Sequence, residues 1–149
     1  MKLKRPKAAR LSFAEIKTGS VYFFDAKVTQ RDVRHFARLT GDFNPLHLDA
    51  RFARQKNFSK NVVHGMLLAG LFSRLAGMLC PGRDCLYLSQ TLEFRKPVFP
   101  GQTVRVQGTV SAKSDNTKIV TLQTEIIVSG QKAVTGETKA RFLSEGNHE

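Results

Sequence analysis

The sequence predicts an α+β fold in which a curved antiparallel sheet wraps around one buried helix. The stretch 66–79 is apolar except for Gly70, Ser73, Arg74 and Gly77, and a helix that is apolar nearly all round is a buried one. One strand-like segment precedes this helix and four follow it, with turn residues between them. A chain of 149 residues with 41% hydrophobic content fits a single domain with one core.

The first third of the chain predicts a strand and then a helix. Residues 20–28 contain the β-branched and aromatic side chains of a strand. Thr29 and Asp32 have the spacing of a capping box, and the helix that they begin has one apolar side and one Arg-rich side. Gly41 ends this helix. His35 falls on the Arg-rich side, where we expect a solvated surface histidine.

The last third predicts an antiparallel meander. Val104, Val106 and Val110 alternate with polar residues, so their strand should have one buried and one exposed face. Segments rich in Pro, Gly, Ser, Asp and Asn separate the strands. The predicted strands are 86–95, 103–113, 118–128 and 132–143.

The stretch 41–49 is too polar for a core and carries the strongest candidates for catalysis. Pro45 lacks an amide hydrogen and disfavours helix at the residue before it, so we interpret the stretch as a bend. A bend can direct Asp42 and His47 at one point. A carboxylate and an imidazole placed together can position a water, take its proton and return a proton elsewhere. The alternative is an ordinary turn, in which Asx side chains bond their own backbone.

The start of the predicted buried helix offers a second functional group. A helix that begins at His64 and Gly65 leaves its first backbone amides without intrahelical acceptors, at the positive end of the helix dipole. Such amides can stabilise an oxygen that gains negative charge during a reaction. Gly65 has no side chain to block the approach of that oxygen, and we expect His64 to contribute mainly through its backbone.

The two segments together resemble a known family. GDFNPLHLD at 41–49, followed by VVHGMLLAGLFSRLAG at 62–77, is similar to the hydratase motif of the (R)-specific enoyl-CoA hydratases, the MaoC-like branch of the hot-dog fold. The resemblance extends over most of 21–143. It implies a hot-dog fold and a homodimer with active sites at or near the subunit interface. It also implies a hydro-lyase that reversibly hydrates trans-2-enoyl-CoA to (R)-3-hydroxyacyl-CoA.

Individual residues acquire roles from the resemblance and from their positions. The resemblance implies that Asp42 and His47 bind the catalytic water and act as an acid–base pair, while Gly65 would donate its backbone N–H to the thioester oxygen. Asn44 lies beside this pair, and Ser73 lies about two helical turns beyond Gly65 on the same face. Both are candidates for substrate binding. The alternatives are an Asx turn at Asn44 and a hydrogen bond from Ser73 into its own helix.

The resemblance and the charge together predict three parts of the chain: a basic, flexible arm at 1–15, a MaoC-like hot-dog domain at 16–143 and a C-terminal tail at 144–149. The formal net charge is +12, and the first ten residues contain five Lys or Arg and no acidic residue. Such a charge suits a polyanionic partner, either the phosphates of CoA or an acidic acyl carrier protein. We expect a cytoplasmic location. The mitochondrial matrix is the alternative, because the basic start could be the remnant of a transit peptide.

Three other functions are weighed against the hydratase. A 3-hydroxyacyl-[acyl-carrier-protein] dehydratase of fatty-acid synthesis would use the same two residues on another carrier. A hot-dog thioesterase is disfavoured by Asp-x-Asn-Pro-x-His with His-Gly-Met. Nucleic-acid binding has only the charge in its favour, since the sequence shows no helix-turn-helix, zinc-finger or RNP pattern.

Several partners are not expected. Cys80 and Cys85 have a spacing that fits neither zinc pairs nor redox pairs, so we expect two free thiols. The histidines also lack metal-ligand spacing, and we expect no metal and no cofactor. No apolar run reaches the roughly 18–20 residues of a membrane span, so we expect no membrane association.

Overall fold

The computed structural model of the protein describes residues 6–143. In this part of the chain the helices are α1 (Gln30–Thr40), α2 (Pro45–Leu48), α3 (Ala50–Gln55) and α4 (Gly65–Met78). The strands are β1 (Val21–Lys27), β2 (Cys85–Gln90), β3 (Glu93–Phe94), β4 (Thr103–Lys113), β5 (Ile119–Val128) and β6 (Gln131–Phe142). None of these helices is long and apolar enough to cross a membrane.

The strands form one antiparallel sheet in the order β1-β4-β5-β6-β2, with β3 also paired to β6. β4, β5 and β6 form a meander, as predicted. A single meander through all four predicted segments was wrong, because β2 pairs with β6 at the far edge of the sheet and not with β4. The predicted strand 86–95 is interrupted after Gln90, and its end forms β3. β1 and β2 are therefore the two ends of the strand order.

Helix α4 packs against the sheet, where it contacts β1, β2, β4 and β6. Leu68, Phe72 and Leu75 are buried in the main core cluster together with apolar side chains of the strands. Each such side chain contributes about 1.5–3 kcal/mol by leaving water. Gly108 on β4 allows the helix to approach, because a Cβ at this position would lie 2.7 Å from Leu75 Cδ2.

One side of α4 is not covered. Met66, Gly70, Ser73 and Arg74 are exposed, so the helix is not buried all round as its apolar sequence predicted. These residues recur at helical spacing and form one exposed stripe. Three of them, Gly70, Ser73 and Arg74, are non-apolar exceptions in the sequence, so the large apolar side chain that this stripe exposes is Met66.

Helix α1 begins and ends as predicted. Thr29 Oγ1 accepts a hydrogen bond from Asp32 N at 3.2 Å, and the Asp32 carboxylate accepts one from Thr29 N at 2.8 Å. These two bonds complete the capping box. Gly41 follows the helix in the left-handed conformation with φ 78°. His35 is exposed, as the sequence predicted. The defined end of α1 therefore sets the direction in which the backbone continues to Asp42.

The described part of the predicted arm is attached to the domain. Ala9 donates its N–H to the last turn of α4, and its carbonyl accepts from the loop that follows, both at 2.9 Å. The Phe13 ring packs against the edge of Phe142 with centroids 5.8 Å apart. The packed region therefore begins before residue 16. Residues 1–5 of the predicted flexible arm at 1–15 and the predicted tail at 144–149 lie outside the described residues.

Both cysteines are free thiols, as predicted. Burial raises the pKa of Cys80 to about 12, and burial also raises the pKa of Cys85. A thiol with a raised pKa is protonated at neutral pH and is a poor nucleophile. Neither cysteine is a candidate for catalysis.

Candidate active site

A cavity of about 600 Å³ opens beside the start of α4. Asp42, His47 and Gly65 all line it, so the fold brings together three of the residues singled out in the sequence. A volume of this size is typical of a small-molecule site. The rest of the wall is mainly apolar with two cations at its edge, and includes Phe36, Phe58, Phe94, Arg95, Lys96 and Val98.

The bend that carries Asp42 and His47 contains a short helix that the sequence analysis did not predict. Pro45 is the first residue of α2, where a missing N–H costs nothing. Asn44 Oδ1 accepts from Leu46 N at 2.9 Å and caps this helix. The Asn44 N–H also donates to Asp42 Oδ1 at 3.2 Å. Asn44 thus braces the bend, and it stands outside the cavity wall.

The His47 ring is oriented by the loop before α4. Nδ1 lies 2.8 Å from the carbonyl oxygen of Val62. A carbonyl only accepts, so Nδ1 carries the proton and Nε2 of the neutral ring is free to take one. The buried Asn61 amide donates to His47 O and to Gln30 Oε1, each at 2.7 Å. These contacts fix both the ring and the backbone of His47.

Asp42 lies close to two imidazoles. One side-chain nitrogen or oxygen each from Asp42, His47 and His64 lies within 4.8 Å of the others. Within the described chain, no hydrogen bond joins the Asp42 carboxylate to the His47 ring. A single water can bridge groups at such a separation, because each hydrogen bond spans about 2.7–3.0 Å. The Asp42 side chain is 48% exposed, which leaves it accessible from the cavity.

The same three residues could also be considered as metal ligands. The His47 and His64 rings are stacked, with centroids 3.8 Å apart and an interplanar angle of 27°. Nitrogen lone pairs lie in the ring planes, so two stacked rings do not aim them at one ion as a tetrahedral site requires. The expectation that the reaction needs no metal stays a prediction.

Gly65 is the first residue of α4 and presents an unused amide. His64 precedes it without a side-chain hydrogen bond to the helix start, and among the described residues no protein acceptor binds the Gly65 N–H. The Phe94 ring lies over this position, because a Cβ on Gly65 would be 2.8 Å from Phe94 Cε1. Because Gly65 also lines the cavity, a substrate oxygen bound there can reach a backbone donor at the positive end of α4.

Ser73 lies away from this cavity. It lines a second, smaller one of about 360 Å³ on the exposed stripe of α4, together with Met66, Gly70 and Tyr87. The side chain is exposed, and no hydrogen bond back into its own helix is seen in the described structure. Its role in substrate binding stays a prediction.

Four residues of the site were missed or undervalued in the sequence. Asn61 reads as part of a polar loop, and the Val62 carbonyl has no sequence signal at all. Phe94 reads as a strand residue, although it covers Gly65. His64 was expected to contribute through its backbone, yet its ring is 2% exposed and packed against His47. Only the three-dimensional contacts reveal these roles.

Comparisons with known proteins agree with this geometry. Residues 13–132 match the MaoC like domain family. The (R)-specific enoyl-CoA hydratase of Aeromonas caviae is 42% identical over 133 residues, which are 89% of this chain and 99% of that protein. A mitochondrial 3-hydroxyacyl-[acyl-carrier-protein] dehydratase of Arabidopsis thaliana is 32% identical over 130 residues, which are 86% and 77% of the two chains.

The solved structures lead to the same family. The (R)-hydratase from A. caviae involved in PHA biosynthesis superposes with a TM-score of 0.82 at 41% identity, covering 85% of this chain and 97% of that one. This similarity confirms the predicted α+β hot-dog fold. With a family match over most of its length, the chain belongs to the MaoC-like domain family.

Proposed function

We propose that the protein is a hydro-lyase that adds water to trans-2-enoyl-CoA and forms (R)-3-hydroxyacyl-CoA, with dehydration as the reverse reaction. One observation carries the proposal: Asp42, His47 and the unused Gly65 amide line a single cavity. The (R)-specific enoyl-CoA hydratase of A. caviae, 42% identical, supports the same reaction and product configuration.

The cavity offers a group for each step of water addition. The Gly65 N–H donates to the thioester oxygen, where negative charge develops as the double bond is attacked, and the α4 dipole supports that charge. Asp42 and His47 hold the water between them. Together they remove one proton from it as its oxygen bonds to the β-carbon, and the pair returns a proton to the α-carbon. The sum is one water added and no change in the enzyme.

The test is hydration of crotonyl-CoA, followed by loss of the enoyl thioester absorbance, with chiral analysis of the product. We expect (R)-3-hydroxybutyryl-CoA, and the same enzyme should convert it back to crotonyl-CoA. The (S) product would contradict the proposal. Release of free CoA from a saturated acyl-CoA would support a thioesterase instead.

A second candidate function keeps the reaction and changes the carrier. The exposed faces of α1 and α3 are strongly basic, and an acidic acyl carrier protein could dock beside the cavity. The exposed arginines are Arg31, Arg34, Arg38, Arg51 and Arg54. The Arabidopsis relative acts on such a carrier by its name. Comparison of kcat/KM for crotonyl groups on CoA and on acyl carrier protein separates the two.

We also propose that the working form is a homodimer. β2 is an edge strand, and Leu86 and Leu88 on it are 49% and 42% exposed. Met66, on the exposed stripe of α4 beside β2, is 58% exposed. An unpaired edge with exposed apolar side chains is costly in water and is covered when two copies join their sheets.

The dimer is tested by a charge placed on this edge. Leu86→Lys should shift the protein from dimer to monomer in sedimentation velocity, because the cation would have to be buried between the copies. Leu39→Lys is the matched control, since Leu39 is 83% exposed on α1. A monomeric wild-type protein, or a dimeric Leu86→Lys variant, would contradict this interface.

The cellular location stays a proposal. We propose the cytoplasm, with the mitochondrial matrix as the alternative, and fractionation of cells that express the full chain distinguishes the two.

A further inference from the structure

The His64 ring is the most completely buried polar group of the site. It is 2% exposed and lies between two other rings, with centroid distances of 5.0 Å to Phe36 and 3.8 Å to His47. Its Nε2 lies 3.1 Å from the backbone oxygen of Asp42. One side chain therefore contacts both members of the acid–base pair, the backbone of one and the ring of the other.

The hydrogen bond fixes the tautomer of this ring. The Asp42 carbonyl only accepts, so Nε2 carries the proton and Nδ1 of the neutral ring is an unprotonated acceptor. Nδ1 is buried and has no hydrogen-bond partner in the described structure. Burial lowers the pKa of His64 below its ordinary value, against the opposing effect of the hydrogen bond to Asp42. The ring is therefore neutral at neutral pH.

Packing alone does not explain a histidine at this position. A phenylalanine ring would fill similar space and would not leave a buried nitrogen unpaired. His64 also precedes α4 without capping it, so its side chain does not serve the helix. What a phenylalanine could not supply is the hydrogen bond to Asp42.

The His64 ring restrains two neighbours, the backbone of Asp42 and the ring of His47. Through Nε2 it holds the backbone at Asp42, directly after the left-handed Gly41. Through its face it supports the His47 ring, whose Nδ1 is already bound by Val62 O. The hydrogen bond to Val62 O at its edge and the stacking of His64 on its face together leave the His47 ring little freedom to tilt. The positions of the two catalytic side chains matter for the rate, since a misplacement of about 1 Å can lower it on the order of 10²-fold.

We propose that His64 is a positioning residue of the hydration reaction: it holds the Asp42 backbone by its Nε2–H and the His47 ring by stacking, so that both catalytic groups meet one water. This inference rests on the proposed function. It assigns to the His64 side chain a role that neither its backbone nor simple packing fulfils.

Two variants separate the two contacts. His64→Gln keeps an N–H donor that can reach the Asp42 carbonyl and removes the ring, whereas His64→Phe keeps the ring and removes the donor. We expect each to lower kcat for crotonyl-CoA hydration by about 10-fold to 10²-fold, with KM changed by less than about threefold. His35→Gln makes the same chemical change on an exposed face of α1 and should leave both constants unchanged.

The outcomes are distinguishable. Normal kcat in folded His64→Phe, or a change confined to KM, overturns the positioning role while wild-type activity leaves the proposed function intact. A wild-type protein without hydratase activity overturns both. If the variants fold poorly, nitrogen-15 NMR of the wild-type imidazoles provides the second measurement. We expect a neutral His64 with its proton on Nε2 at pH 7, and a charged ring or the opposite tautomer would overturn the inference.

Discussion

Asp42→Asn and His47→Gln should each lower the rate of crotonyl-CoA hydration by about 10²-fold or more. Asn preserves the shape of Asp42 and can still accept the hydrogen bond from Asn44 N–H, but it cannot take a proton. Gln at position 47 loses the free imidazole nitrogen that the Val62 carbonyl leaves available. The measurement is kcat and kcat/KM at saturating and limiting substrate.

Surface variants serve as controls for these two changes. Asp115→Asn removes a carboxylate that is 82% exposed in the turn between β4 and β5, and His35→Gln alters the exposed histidine of α1. Both should retain wild-type rates. Near-normal hydration by folded Asp42→Asn or His47→Gln would remove the acid–base pair from the mechanism.

Gly65→Pro should lower kcat by about 10²–10³-fold relative to Gly65→Ala, because it removes one oxyanion donor. Proline is favoured at the first position of a helix, and the preceding residue His64 has ψ 130°, which proline accepts. The substitution therefore removes the N–H with little cost to α4. Stopped-flow or steady-state hydration rates, together with thermal melts of both variants, make the measurement.

The alanine variant isolates the amide from the steric effect. Any side chain at position 65 brings a Cβ to 2.8 Å from the Phe94 ring, so Ala and Pro share that clash. Phe94 is 51% exposed and its ring can move aside. We therefore expect Gly65→Ala to keep activity within about tenfold of wild type. Equal loss in both variants would assign the effect to Phe94 and not to the N–H.

The sequence correctly predicted features that depend on residues close together in the chain, such as helix caps and the buried face of a strand. Thr29 and Asp32 form their capping box, Gly41 adopts the left-handed conformation, and Val104 and Val106 face the core. Each of these outcomes depends on neighbours in the chain or on strand alternation. The resemblance of 41–49 and 62–77 added the fold and the pairing of Asp42 with His47.

Contacts between residues far apart in the sequence could not be predicted from these local patterns. Strand patterns do not say which strand β2 joins, and the structure pairs it with β6, which lies more than 40 residues further along the chain. Helical spacing placed Ser73 and Gly65 on one face, but the structure gives them different cavities. Every residue type has a backbone carbonyl, so a role such as the hydrogen bond between Val62 O and the His47 ring cannot be inferred from the type of residue.

The loop 61–64 holds the segment that carries Asp42 and His47 at four points. Asn61 binds His47 O, the N–H of Val62 binds Leu46 O, the Val62 carbonyl binds the His47 ring, and His64 binds Asp42 O. The next residue along the chain is Gly65. The backbone that leads into Gly65 is therefore also the support of Asp42 and His47, and an insertion or deletion in 61–64 would displace all three residues at once.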